Sequence, residues 1–359
     1  MRVAAFTRYG RTAASTRQRL LQYLPALADA GIKVDVQSLL GDDYVRSLAG
    51  RGGFSRLDVV RAYADRARLL ATSEADLIWI YVEAFPYLPG LLERIAFRSG
   101  TPVVVDFDDA FFHRYDSHPN PLVRAALRGK IETLLKRAAA CVCGNEYLLR
   151  YAERFCDRSI IIPTVVDIDR YRPAPQSPPG PTVIGWIGSP STWCFLEPVL
   201  PLLAELAARP NVVVRVVGAG EAAEARRFSG LDLVDWSEAG EIAAVQSMDI
   251  GIMPLPDADW ARGKSGYKLI QYMACGLPVV ASPVGVNSEI VVEGETGVLA
   301  HDAAGWRAAL DRLIGDRELR MRFGAAGRER AVQLYSLQAH APRLIDLFTS
   351  VAQAQRGNR

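Results

Sequence analysis

Residues 260–297, WARGKSGYKLIQYMACGLPVVASPVGVNSEIVVEGETG, decide how the rest of the chain is read. They give a loop, a short helix, a buried strand, a turn and the start of a second helix. Ser265 is placed to cap a helix running to about Cys275. Gly276 and Pro278 end it, because glycine takes the left-handed cap and proline cannot continue a helix. Pro278 to Ala281 is a short apolar run suited to a strand covered on both faces. Leu269, Ile270, Met273 and Ala274 are expected to face inward, with Lys264, Lys268 and Gln271 together on the other side. Two ammonium groups beside a helix N-terminus predict an anion site, since the free backbone N–H groups and the dipole there favour negative charge.

The run SGYKLIQYMACGLPVVASPVGVNSEIVVEGETGVLA resembles the donor-binding signature of family 4 retaining glycosyltransferases of the GT-B fold. The similarity spans the C-terminal half and is weaker in the N-terminal half. It implies an α/β protein of GT-B architecture, with two Rossmann-like doubly wound domains facing across a cleft. The family usually carries two glutamates eight positions apart, where this chain has Gly263 and Gln271. The branch it most resembles often has lysines where Lys264 and Lys268 stand. Gln271 keeps the capacity to hydrogen-bond a hydroxyl.

A chain of 359 residues suggests two domains. No apolar run reaches the roughly 18 residues that span a bilayer. The opening MRVAAFTRYG lacks a signal-peptide pattern and reads as a strand. Five scattered cysteines point to a reducing cytoplasm, with Cys141 and Cys143 as small buried hydrophobes. Residues 1–180 hold 25 Lys and Arg against 20 Asp and Glu, whereas the remainder is net acidic. That asymmetry suits a cytoplasmic protein whose N-terminal half meets an anionic partner, such as the inner membrane face or a lipid-linked phosphate; no nucleic-acid motif is present.

In the N-terminal half a strand, a loop, a helix from Ser15 to Ala30 and a second strand form a parallel unit. Ligands of such folds sit at the carboxyl ends of strands. Gly10, Ser15 and Arg17 therefore face the expected cleft, with Arg17 a candidate phosphate or acceptor contact. Residues 41–56, with four glycines, suggest an exposed segment over the acceptor. Glu83, a further phosphate or acceptor candidate, lies just past the strand Asp76 to Tyr81. The strand TPVVVDF ends in Asp106, Asp108 and Asp109, three carboxylates able to hold a metal, act as acid or base, or cap a helix. In better-known family members a histidine at this strand end contacts the donor sugar, and Asp108 falls at that position. The resemblance thus places Asp108 at the reacting centre, Asp109 next, and leaves Asp106 to tie loops. His113 and His118 lie in a loop suited to an acceptor pocket. The helix expected from Pro121 to Ala139, with Lys130 among its basic residues, is read as packing one face on the sheet.

Residues 173–181, rich in proline, read as the domain linker. The expected domains are 1–175 for the acceptor, 182–335 for the donor, and a C-terminal helix over 336–359 crossing back. The loop holding Gly188, Ser189, Ser191 and Thr192 offers N–H groups and hydroxyls to a phosphate. A helix is expected over Phe195 to Ala208. Family members carry a glutamate at the place of Glu289, expected to hold sugar hydroxyls; a capping box around Asn287 is the alternative. Trp236 is a candidate for base stacking, though core packing explains it as well.

The implied reaction moves a sugar from a UDP- or GDP-linked donor to a glycan, lipid-linked or small-molecule acceptor, with retention of configuration. Lysines take the metal's part, so no metal or other cofactor is required. Two rivals remain at this level: a nucleotide-sugar 2-epimerase and a non-catalytic nucleotide-sugar-binding subunit. A dinucleotide oxidoreductase is disfavoured, since neither half shows GxGxxG after its first strand.

Overall fold

The computed structural model describes residues 1–44, 55–175 and 180–357. They form two compact units: Met1–Thr164 with Gly263–Ser265 and His340–Arg359, and Val165–Arg262 with Gly266–Ala339.

The first unit holds β1 (Arg2–Tyr9), β2 (Lys33–Leu40), β3 (Leu77–Tyr81), β4 (Val103–Phe107), β5 (Ala140–Cys143) and β6 (Ser159–Ile161). Their spatial order is β2-β1-β3-β4-β5-β6, every pairing parallel. LIWIY, VVVDF and ACVC are buried along their whole length, as strands covered by helices on both faces must be. The chain leaves β1 toward β2 on one side and β3 on the other. The topological switch point, where parallel sheets open a crevice, therefore lies at the carboxyl ends of β1 and β3.

The second unit repeats the scheme with β7 (Thr182–Ile187), β8 (Val212–Val217), β9 (Leu231–Val234), β10 (Ile250–Met253), β11 (Val279–Ala281) and β12 (Gly297–Leu299). The parallel order β12-β11-β10-β7-β8-β9 reverses between β7 and β10. The helix Tyr267–Ala274 packs close to this point. A Cβ on Gly251 of β10 would lie 2.3 Å from the Tyr272 ring, and one on Gly324 would lie 1.9 Å from the Gly276 carbonyl. Glycine at these places lets the helix seat on the sheet and the helix Arg317–Leu334 seat on it in turn.

Several expectations are corrected. The long helix after β1 is broken into Ala14–Arg19, a 3-10 turn Leu21–Tyr23 and Leu24–Asp29, with Pro25 in the first turn of the last piece, where its missing N–H costs nothing. The motif helix is not capped by Ser265. Gly266 caps it at φ 66°, and a Cβ there would also meet Ile290 at 2.2 Å. Pro190, Pro198 and Pro201 divide the stretch after β7 into two 3-10 turns and the helix Leu200–Ala207. The unit boundary falls after Thr164, earlier than the proline-rich stretch, whose residues 176–179 lie outside the described residues. Of the glycine-rich segment, residues 45–54 also lie outside them. The basic helix is two pieces, Pro121–Leu127 and Lys130–Leu135. Lys130 is buried rather than solvated, its ammonium bound to Glu93 and to the Phe85 and Leu88 carbonyls.

Candidate functional site

In the second unit the loop after β7 begins at Gly188, whose N–H donates to the Val217 carbonyl of β8. A Cβ on Gly188 would strike Trp186 at 2.2 Å and the Thr192 hydroxyl at 2.8 Å, so this turn closes only around glycine. Ser189 and Thr192 form a reciprocal capping box, and the Ser189 and Ser191 hydroxyls lie 3.0 Å apart. Lys268 projects from the first turn of the motif helix to this loop. Its ammonium is 3.4 Å from the Thr192 hydroxyl and 4.6 Å from the Trp186 ring centre. The Tyr272 hydroxyl, one turn on, accepts the Ile187 N–H at 2.9 Å and so ties the helix to the end of β7. The arrangement is a half-buried cation beside hydroxyls at the switch point of a parallel sheet.

Gln271 is not on that open side. It is buried, and its amide nitrogen donates to the Tyr171 hydroxyl and to Glu241, both at 3.0 Å. Glu241 also accepts the Trp236 indole N–H at 2.7 Å and the Tyr171 hydroxyl. Trp236 thus packs against the core as a donor to this network. Glu289 is exposed in the short helix Asn287–Ile290, and its backbone carbonyl accepts from Arg330 at 2.7 Å. The alternative capping box is absent: Val286 is the N-cap, and the buried Asn287 amide donates to Ser282.

The acidic end of β4 resolves into three roles. Asp106 accepts from the buried Arg19 guanidinium at 2.6 Å and from the Trp79 indole at 3.1 Å, so it ties the first helix to the sheet. Asp108 is buried, with one oxygen accepting the Tyr81 hydroxyl at 2.6 Å and the other the Thr164 hydroxyl at 3.0 Å. Both donors hold that carboxylate in place. Asp109 is the member with an open face. Its side chain is 22% exposed and lies 2.9 Å from the Lys264 ammonium. Burial raises the Asp109 pKa above the usual carboxylate value, against the pull of Lys264.

Lys264 is paired with Asp109 within the first unit. It belongs to the first unit, where the Asn145 amide donates to the Gly263 and Lys264 carbonyls at 3.2 and 3.1 Å. A Cβ on Gly263 would stand 2.3 Å from that of Ala110. This explains the missing first acid of the pattern, since the position is packed against backbone and admits no side chain.

At the β1 end, Gly10 makes room for Asp42. A Cβ there would be 2.4 Å from the Asp42 carboxylate, which accepts from the Thr12 N–H and hydroxyl. Arg17 is turned onto its own loop, one nitrogen donating to the Arg11 and Thr12 carbonyls. Glu83 is buried, accepts the Tyr115 hydroxyl and lies 3.5 Å from Lys130; burial raises its pKa. His113 lies between Asp116 and the Tyr147 hydroxyl, and the His118 ring accepts the Asn120 N–H. Ser15 lines a recess of about 60 Å³ at the carboxyl ends of β1 and β3, together with Arg8, Tyr9, Glu83, Phe111 and Arg114. Sequence reading missed Arg8 and Arg114, as it missed Tyr171 and Glu241 in the second unit. Among the described residues no group of three acidic, histidine or cysteine side chains could hold a metal, and no helix is long and apolar enough to cross a membrane.

The family of glycosyl transferases group 1 matches residues 182–316. The chain is similar to the phosphatidyl-myo-inositol mannosyltransferase of Mycobacterium leprae, at 27% identity over 84% of this chain and 80% of that one. In fold it is similar to the sucrose-phosphate synthase of Thermosynechococcus elongatus, with a TM-score of 0.74 at 16% identity, covering 99% of this chain and 100% of the other. It is also similar in fold to Anabaena HepE solved with UDP-glucose, with a TM-score of 0.73 at 16% identity over 98% and 100% of the two chains.

Proposed function

Because this chain belongs to the GT-B glycosyltransferases, we propose that it transfers a sugar from a UDP- or GDP-linked donor to an acceptor hydroxyl with retention of configuration. The observation that carries the donor assignment is Lys268 at the β7 and β10 switch point, beside the Ser189 to Thr192 loop. The diphosphate sits against this lysine and the loop hydroxyls, with Glu289 offered to the sugar. As the bond from the anomeric carbon to phosphate oxygen breaks, negative charge grows on the leaving diphosphate, and a preplaced ammonium stabilises it most where water is excluded. The acceptor oxygen forms the new bond on the same face, and its proton passes to the departing phosphate. The lysine does the neutralising, so chelation of divalent cations leaves turnover unchanged. Asp109 is the carboxylate proposed for the reacting centre, since its side chain is partly exposed whereas Asp108 is buried.

Similarity to a phosphatidyl-inositol mannosyltransferase supports a glycolipid or surface-glycan acceptor. Leu57, Val60, Leu91 and Leu122 of the first unit are exposed, with Arg56, Arg61, Arg94 and Arg128 exposed near them in sequence. Such pairs of apolar and basic side chains support peripheral binding to an anionic membrane surface.

A thermal-shift panel of nucleotide sugars tests the donor reading. The matching donor at a hundredfold over its Kd stabilises by about 2.7 kcal/mol, and Lys268→Ala removes that shift. A panel in which no nucleotide sugar moves the Tm sinks the proposal. Incubating the donor without acceptor separates transfer from epimerisation, which needs none.

A further inference from the structure

The recess at the carboxyl ends of β1 and β3 is a second built site, with residues that the donor reading leaves unused. Arg8, next to the last residue of β1, has its guanidinium 4.9 Å from the Tyr9 ring centre and 5.4 Å from that of Tyr87. Arg114 lies 4.9 Å from Phe111 and 6.0 Å from the same Tyr87 ring. Two cations thus flank one tyrosine, which is itself 51% exposed. Among the described residues, the Arg8 Nε and the Arg114 Nη1 are buried without a hydrogen-bond partner. A buried N–H left unpaired is costly and rare in a native fold.

The neighbouring acid does not supply the missing partner. Glu83 lies 3.8 Å from Arg114, beyond hydrogen-bond range, and is already held by the Tyr115 hydroxyl and Lys130. The backbone here is strained as well. Val82 sits at φ 70° in a tight turn, with the Glu83 N–H donating to the Tyr81 carbonyl at 3.0 Å, and Tyr87 sits at φ 60°. A β-branched residue at positive φ is an outlier that persists only where its surroundings enforce it, which is common at ligand sites. The recess has room for one compact group, and Ser15 and Thr16 are among the residues that line it.

We propose that Arg8 and Arg114 bind a phosphate carried by the acceptor, the guanidinium nitrogens now unpaired donating to its oxygens. A guanidinium fork matches phosphate oxygens in geometry and charge, and aromatic stacking holds both forks in place. The inference rests on the reading that the first unit takes the acceptor, and it narrows that acceptor to phosphate-bearing molecules. The phosphate is either part of a lipid headgroup or borne by a free sugar or polyol.

The test is calorimetric titration of inorganic phosphate into the full chain already saturated with whichever of UDP or GDP stabilises it, so that the donor's phosphate site is filled. Phosphate should bind the unaltered chain, and Arg8→Gln and Arg114→Gln should each weaken it at least tenfold while nucleotide affinity stays unchanged. Arg8→Lys and Arg114→Lys replace any glutamine variant that fails to fold, and each should also weaken binding, because an ammonium lacks the fork. Unchanged phosphate affinity in the variants, or none in the unaltered chain, overturns the inference while leaving the donor reading intact. Loss of nucleotide binding in the unaltered chain refutes the donor reading instead. Co-sedimentation with vesicles of phosphatidylcholine plus phosphatidic acid, but not of phosphatidylcholine alone, assigns the phosphate to a lipid if it needs both arginines. Binding of glycerol phosphate without vesicle capture assigns it to a soluble acceptor.

Discussion

The Lys264 ammonium lies 2.9 Å from the Asp109 carboxylate, although 155 residues separate them in sequence. Both side chains are partly exposed, so the pair avoids the full cost of an isolated buried charge. Burial raises the Asp109 pKa, and Lys264 is the largest influence lowering it. The native state therefore holds the Asp109 proton more tightly than the unfolded chain does. Asp109 then favours folding below the unfolded value of about 3.9, and that contribution is lost as pH rises through the raised native value. Lys264→Met should raise the Asp109 pKa further and extend the pH range over which stability falls. A carbon-detected NMR titration of Asp109 measures this directly, and an unmoved midpoint would refute the coupling.

Arg19 and Asp106 form a pair of another kind, with side chains 1% and 2% exposed. Arg19 also donates to the Ile162 carbonyl at 2.6 Å, so one guanidinium joins the first helix to β4 and to the segment after β6. Arg19→Met leaves a buried carboxylate without its cation and should cost about 3–5 kcal/mol. Asp106→Asn in that background should recover part of the loss, because the orphaned charge is gone. Urea unfolding of the single and double variants decides the point; a single variant within about 1 kcal/mol of the parent would mean the pair is not what holds this corner.

The strands were legible in the sequence because burial on both faces writes a continuous apolar run, as in LIWIY and VVVDF. Their carboxyl-end loops lie at the switch points of the two sheets, and Lys268 stands beside one such loop. The division of labour among Asp106, Asp108 and Asp109 was not legible. It depends on Arg19, Tyr81, Thr164 and Lys264, which arrive from distant parts of the chain. The same holds for Gly263, which reads locally as a flexible loop residue and is in fact packed on Ala110. Arg8 and Arg114 carry no local pattern, since only the fold brings both to Tyr87.

Lys268 is expected to act mainly on the leaving group rather than on the fold. Its ammonium is half-buried over Trp186, and the helix that carries it is anchored elsewhere, by Tyr272 and the apolar face. Lys268→Ala should lower kcat by about 10²–10³-fold, the usual loss for one preplaced charge-stabilising group, with Tm close to the parent. Lys268→Arg should restore part of the rate, because charge matters more than shape at a leaving diphosphate. Steady-state kinetics with saturating donor would expose the opposite case, in which only KM moves and the lysine serves ground-state binding alone.

Restoring the acids of the family pattern should harm this chain rather than activate it. Gly263→Glu forces a side chain into Ala110, whose backbone nitrogen is 2.9 Å from the place a Cβ on residue 263 would take and cannot yield cheaply. Gln271→Glu is the more informative change. The Gln271 amide nitrogen is a donor to Glu241 at 3.0 Å, and the substitution puts a second carboxylate where a donor stood. Two carboxylates that close cannot both ionise without cost, so they share a proton and the pair titrates above the ordinary range. Since the folded state then binds the extra proton more tightly than the unfolded chain, the variant should be least stable at neutral pH and gain stability as pH falls toward the unfolded carboxylate values of about 4. Thermal melts of parent and Gln271→Glu between about pH 4 and pH 8 should therefore converge on the acid side and diverge on the neutral side. Parallel curves would show that Glu241 has moved away or that Tyr171 and Trp236 suffice to hold both charges, and the account of why glutamine stands at this position would be lost.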